Sequence, residues 1–193
     1  MNDIIGDKIL AGKSAAMESD ITNILNLLGV KWDEHTFSTP KRFIKYLQEF
    51  CQPFQPDEVL GSQFPSDGVT SMVVQGPIAF RGICAHHLCP MLGTAYFGYI
   101  PNKKVVGLSK IARLVQAVGT EKPGIQEYMC DRICDLFNEY VEPKGCICVI
   151  KSLHTCMSAR GIAMPNVYTS TSSVKGVFLV VPAARQEFFE LTK

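Results

Sequence analysis

The chain has 193 residues, 47% of them hydrophobic, and a formal net charge of +1 at neutral pH. That length holds one domain, or one domain with a helical appendage, and the composition supplies an ordinary core. A charge so close to zero argues against an overall field for nucleic acid or lipid, although a locally basic pocket stays open. No apolar run approaches the ~20 residues of a membrane helix. The start, Met1-Asn2-Asp3-Ile4-Ile5, lacks the basic residues and apolar run of a signal peptide. Eight cysteines in that setting favour reduced thiols and metal binding over a disulfide framework. A soluble cytoplasmic protein is expected, with neither nucleic acid nor membrane as partner.

In chain order, Ile21, Ile24, Leu25 and Leu28 share one helical face, and Gly29 stops that helix. Thr39-Pro40 starts another, since Thr can cap and Pro is tolerated at the first helical position. Phe43, Leu47 and Phe50 mark its expected buried face. A loop follows from Gln52 to about Gly68, rich in Pro, Gly, Ser and Gln. Short β-rich runs are then predicted at residues 71–80, 93–100, 146–153 and 174–181. Two helices interrupt them, at 108–118 and about 125–140, the second with Ile125, Met129, Ile133, Phe137 and Tyr140 on one face. Strand, strand, helix, helix, strand, strand reads as α+β: an antiparallel sheet packed on a helix pair, preceded by a helical extension. Residues 1–68 form the helical region and loop; residues 69–193 form the domain that carries chemistry.

Three of the four histidines fall in two short stretches, Cys84-Ala85-His86-His87 and His154-Thr155-Cys156. Thiolate and imidazole ligands gathered in this way point to zinc. Cys84, His87 and Cys156 make three ligands, leaving a position for water and two spare histidines, His86 and His154, to move protons. The alternative is a closed structural site completed by Cys89 or a spare histidine. At the start of the 108–118 helix, Ser109, Lys110 and Arg113 suit an anion: free N–H groups, the helix dipole and two cations converge there. A solvated basic helix start is the plain alternative. Arg160 adds a cation four residues after Cys156. Gln126-Glu127 opens the next helix, either as a dipole-favoured acid or as a carboxylate reading a guanine-like edge. Cys130 and Cys134 are half of a second metal site or, more ordinarily, core residues.

Five motifs stand in one order: Cys-x-His-His-Leu-x-Pro (84–90), Gly-Tyr-Ile-Pro (98–101), Val-Gly-Leu-Ser-Lys-Ile-x-Arg (106–113), Gln-Glu (126–127) and His-x-Cys-Met-x-x-Arg-Gly (154–161). With Thr39-Pro40-Lys41-Arg42 upstream, the chain from about Glu18 onward resembles the GTP cyclohydrolase I family. The resemblance implies a tunnelling-fold (T-fold) subunit, a four-stranded antiparallel sheet backed by two helices, in a homodecamer with sites between subunits. It implies Zn2+ on Cys84, His87 and Cys156, and the triphosphate on Ser109, Lys110, Arg113 and Arg160. Glu127, with Gln126 beside it, would recognise guanine, and His86 and His154 would manage protons. The implied reaction opens the imidazole ring of GTP at C8 with water, releases formate, and closes the ribose carbons into 7,8-dihydroneopterin triphosphate.

The chain departs from the family in three places. Ala85 stands where Glu is usual, Gly82 where Ser is usual, and Lys122-Pro123-Gly124 carries less positive charge and an added Gly. Two other readings follow: the same zinc chemistry on another purine nucleotide, or a zinc-stabilised scaffold without activity. Glu127 favours guanine over adenine, which offers no matching N1–H and 2-amino pair.

Overall fold

The computed structural model describes the backbone of residues 2–193 and the side chains from Ser14 onward. The chain divides into two compact units, residues 1–49 and 50–193. The first contains α1 (Asn2–Leu27) and α2 (Thr39–Gln48). α1 begins far earlier than the 21–28 periodicity indicates, and it ends before Gly29, whose φ of +75° breaks the helix. Ile24 and Leu28 of the expected apolar face are exposed. Pro40 does sit in the first turn of α2, but Pro40 and Ile44 turn inward while Phe43 is exposed, which rotates the expected face. The connection between the helices is pinned by Asp33, whose carboxylate accepts the N–H groups of His35 and Thr36.

The second unit holds everything else. The predicted loop after Gln52 contains α3 (Pro56–Leu60) and β1 (Gln63–Pro65). Pro56 at the helix start, followed by Asp57 and Glu58, suits a helix N-terminus. β1 pairs antiparallel with β4 (Lys104–Val106). The main sheet is four-stranded and antiparallel, in the order β2 (Val73–Ile83), β3 (Pro90–Ile100), β5 (Gly145–His154), β6 (Tyr168–Gly176). α4 (Leu108–Glu121) and α5 (Gln126–Val141) back one face of it. This is the sheet and helix pair that the resemblance implies.

The core lies between that face and the two helices. Ile111, Leu114, Val115 and Val118 of α4 and Met129, Ile133 and Phe137 of α5 are buried at helical spacing. They meet Phe80, Phe97 and Tyr99 from the strands, with the Phe137 ring 4.6 Å from Phe97 and 4.9 Å from Tyr99. Gly119 lets α4 approach β2 closely, since a Cβ there would fall 2.1 Å from the Arg81 carbonyl oxygen. Four cysteines line the seam between α5 and the sheet. The thiols of Cys130, Cys134 and Cys146 donate to the carbonyls of Cys148, Ser173 and Cys134 at 3.4, 3.4 and 3.6 Å. Cys130 and Cys134 are therefore core residues rather than half of a second metal site.

The fourth strand is a correction. Val174–Val181 was the expected run, but the strand is Tyr168–Gly176 and the chain turns at Gly176, with φ of +57°. The apolar residues that follow form a helical turn, α7 (Val177–Val180), and then α8 (Pro182–Leu191). Phe178 and Phe188 bury against Ile147 on the second face of the sheet. Among the described residues, β2 and β6 each leave one long edge unpaired.

Candidate metal centre and active-site pocket

β2 ends at Ile83, and the tight connection to β3 carries Cys84 through Cys89. Backbone bonds fix that connection. Cys84 N–H donates to the Cys89 carbonyl at 2.9 Å, and Leu88 N–H donates to the Cys84 carbonyl at 2.8 Å. A second clamp comes from the turn between α4 and α5. Ala85 N–H donates to the Gly124 carbonyl at 2.9 Å, and Gly124 N–H donates to the Ile83 carbonyl at 3.0 Å. Gly124 therefore holds the loop, a part that no motif in the sequence announces. On the far side, β5 ends at His154 and passes into α6 (Thr155–Ser158), which carries Cys156. Thr155 Oγ1 donates to the Pro90 carbonyl at 2.8 Å and ties this turn to the start of β3.

These connections bring one sulfur of Cys84, one of Cys156 and one ring nitrogen of His87 within 4.8 Å of one another. Cys84 Sγ lies 3.8 Å from His87 Nδ1, close to the ligand separation in a tetrahedral ion with Zn–S of about 2.3 Å and Zn–N of about 2.1 Å. Two sulfurs and an imidazole fit zinc chemically. Cys89 does not join the set: its thiol turns to the His87 carbonyl at 3.5 Å. Burial, followed by the neighbouring Cys84 thiol, pushes the Cys156 thiol up from its ordinary pKa.

A pocket of about 290 Å³ opens beside the triad and includes His86, His154, Gln126 and Glu127 on its walls. Glu127 is exposed in the first turn of α5, where the dipole favours its charge. His154 is half-buried. Burial lowers its pKa from the ordinary imidazole value, and the Glu127 carboxylate pulls in the opposite direction. His86 Nδ1 stands 3.8 Å from Cys84 Sγ, as near as the His87 nitrogen.

Three of the expected site residues are not brought here. Ser109, Lys110 and Arg113 sit in the first turns of α4, whose opposite end leads to Gly124. At 1.5 Å per residue, Arg113 stands about 12 Å and Ser109 about 18 Å along the helix from its Glu121 end, the end that leads to Gly124 and the metal loop. None of the three lines the pocket. Arg160 is exposed on the turn after α6, also outside the walls. Gln126 differs from the expectation in another way. It is 0% exposed and hydrogen-bonded on every polar atom of its side chain, so it lies beneath the surface instead of offering an amide to a ligand. Ser152, buried below it, is a site component with no signal in the sequence.

The family model for GTP cyclohydrolase I matches residues 17–193. A GTP cyclohydrolase 1 of Wolinella succinogenes is 37% identical over 179 residues, covering 91% of this chain and 95% of that protein. The corresponding enzyme of Aquifex aeolicus is 39% identical over 155 residues, and covers 80% and 83% of the two chains. That of Dictyostelium discoideum is 36% identical over 180 residues, covering 92% and 77%. Among solved structures, the archaeosine synthase QueF-Like in the apo form aligns over 56% of this chain and 94% of its own. Its TM-score is 0.42 at 12% identity, too loose a likeness to bear on fold or function. A match over nearly the whole length, joined to the Cys-His-Cys triad and its pocket, places the chain in the GTP cyclohydrolase I family.

Proposed function

We propose that the protein is a zinc-dependent GTP cyclohydrolase I that converts GTP and water into formate and 7,8-dihydroneopterin triphosphate. The observation that carries this reading is the meeting of the Cys84, His87, Cys156 triad with His154 and Glu127 around one pocket. Residues 69–193 are the catalytic domain in this reading. No described helix is long and apolar enough to cross a membrane, and all eight cysteines are free, in keeping with a cytoplasmic enzyme.

Cys84, His87 and Cys156 hold the zinc, which when bound acts as a Lewis acid and lowers the pKa of water to about 7. The remaining work falls to the chain's own groups. Glu127 accepts hydrogen bonds from the N1–H and 2-amino group of guanine, which orients C8 toward the triad. Addition of water at C8 and cleavage of the C8–N bond leave a ring nitrogen that needs a proton. His154 and His86 are placed to supply it and to take one from water. A second hydrolysis of the resulting formamide releases formate, and the ribose carbons then close the new ring. Ser109, Lys110, Arg113 and Arg160 neutralise the triphosphate.

The separation of the α4 cations from the triad supports a site shared between copies, in which one chain's α4 serves the next chain's pocket. The free edges of β2 and β6 supply the means to assemble, in a homodecamer as the family resemblance implies. Incubation of the zinc-loaded protein with GTP, followed by formate release and pterin absorbance, tests the reading, with Cys156→Ala as control. Pterin formed by the native protein and absent from the control is expected. A fully zinc-loaded protein that leaves GTP intact overturns it.

A further inference from the structure

We propose that Gln126 is a positioning residue that fixes the ring of His154 and its tautomer, with the hydrogen on Nε2 and the lone pair on Nδ1. This rests on the reading above, in which His154 handles protons.

Ile150, Ser152 and His154 alternate along β5 and therefore share one face, and Ile150 and Ser152 stand opposite Thr171 and Thr169 of β6. Gln126, the first residue of α5, lies over this strand pair. Its Nε2 donates to the carbonyls of Ile150 at 3.0 Å and Thr169 at 3.1 Å, with Thr171 Oγ1 also at 3.1 Å. Both carbonyls can only accept, so the NH2 group must face them and the amide cannot be flipped. Oε1 is thereby aimed at Ser152 Oγ, 2.7 Å away, and at His154 Nε2, 2.8 Å away. An amide oxygen can only accept. The hydrogen of neutral His154 must then sit on Nε2, and the lone pair must sit on Nδ1.

Gln126 and Ser152 are both 0% exposed, so this bond does not compete with water. Nor can the Gln126 side chain serve the nucleotide without giving up a buried partner. The sheet thus holds the amide, and the amide holds the imidazole.

The test uses full-length, zinc-loaded protein with 15N-labelled histidine, sedimented for solid-state NMR so that assembly size does not matter. There are four histidines, and His154→Asn assigns the signal of interest. Resting protein should show an Nε2–H, Nδ1-unprotonated ring for His154; the opposite tautomer overturns the proposal outright, without any variant. Gln126→Leu should mix the tautomers and lower kcat about 100-fold with little change in KM for GTP. Gln126→Glu keeps an acceptor toward Nε2 and should restore the tautomer and part of kcat, even where stability falls. A rise in KM at constant kcat makes Gln126 a substrate ligand and refutes the proposal. So does a loss of thermal stability with tautomer and kcat unchanged, which would make it purely structural. Failure of native protein to turn over GTP overturns the functional reading alone, because the tautomer is read on the resting enzyme.

Discussion

Two inactive chains should make an active enzyme when they assemble together. One carries Lys110→Ala and Arg113→Ala and keeps its metal triad; the other carries Cys156→Ala and keeps its α4 cations. Lys110 and Arg113 stand about 12–17 Å along α4 from its Glu121 end, and in the proposed shared site neither defect lies in the half-site the other chain supplies. In a randomly mixed ring, half of the pockets have an intact triad and half of the facing α4 starts have intact cations. About one site in four then combines both, so co-expressed chains should recover about a quarter of wild-type activity per site. The assay is pterin formation by tagged, co-purified mixed assemblies, with native mass spectrometry to establish that both chains are present. Activity that stays at the level of the separate variants at every mixing ratio, in assemblies that contain both chains and normal zinc in the intact pockets, refutes a shared site.

Other outcomes follow from the packing and the donor set. Phe137→Ala, which empties the space between Phe97 and Tyr99, should cost about 3–5 kcal/mol in denaturant unfolding of the assembled protein. Gly119→Ala improves helix propensity by up to about 1 kcal/mol. Its Cβ would nonetheless fall 2.1 Å from the Arg81 carbonyl oxygen, so a net loss is expected in the same measurement, with overpacking of about 1–3 kcal/mol prevailing. Arg132→Ala should change stability by less than about 1 kcal/mol, because the Arg132 side chain is 42% exposed and its bidentate pair with Glu121 is solvent-screened. Chelation should remove about one zinc per chain by elemental analysis and abolish turnover while the sheet's circular dichroism persists, since Phe80, Phe97, Tyr99 and Phe137 of the core stand on strands and α5 rather than in the metal loop.

The sequence makes the first three main strands and both backing helices legible because their apolar residues recur at the right period. β6 is not legible for a physical reason. As an edge strand, Tyr168–Gly176 fully buries only Ser173 and is built largely of Thr and Ser, while the apolar run beyond Gly176 belongs to α7 and α8. The metal triad is readable because thiol and imidazole are rare and clustered. Spacing along the chain does not reveal that Ser109, Lys110 and Arg113 stand a helix length from it. Gln126 reads as either a cap-region residue or a ligand, and only its contacts with Ile150, Ser152, His154, Thr169 and Thr171 decide otherwise.

The sulfur-lined seam between α5 and the sheet has a consequence for handling the protein. Cys130, Cys134, Cys146 and Cys148 are chemically quiet only while that seam is shut, since a buried thiol meets no oxidant. Each thermal opening in air exposes four sulfurs that can join in three ways, only one of which pairs the thiols that neighbour each other in the closed seam, Cys130 with Cys148 and Cys134 with Cys146. Once joined in either of the other two ways, they bar the helix from returning. Heat loss in air then becomes one-way, its pace set by how often the seam opens, and the same heating under reductant leaves a chain that can close again.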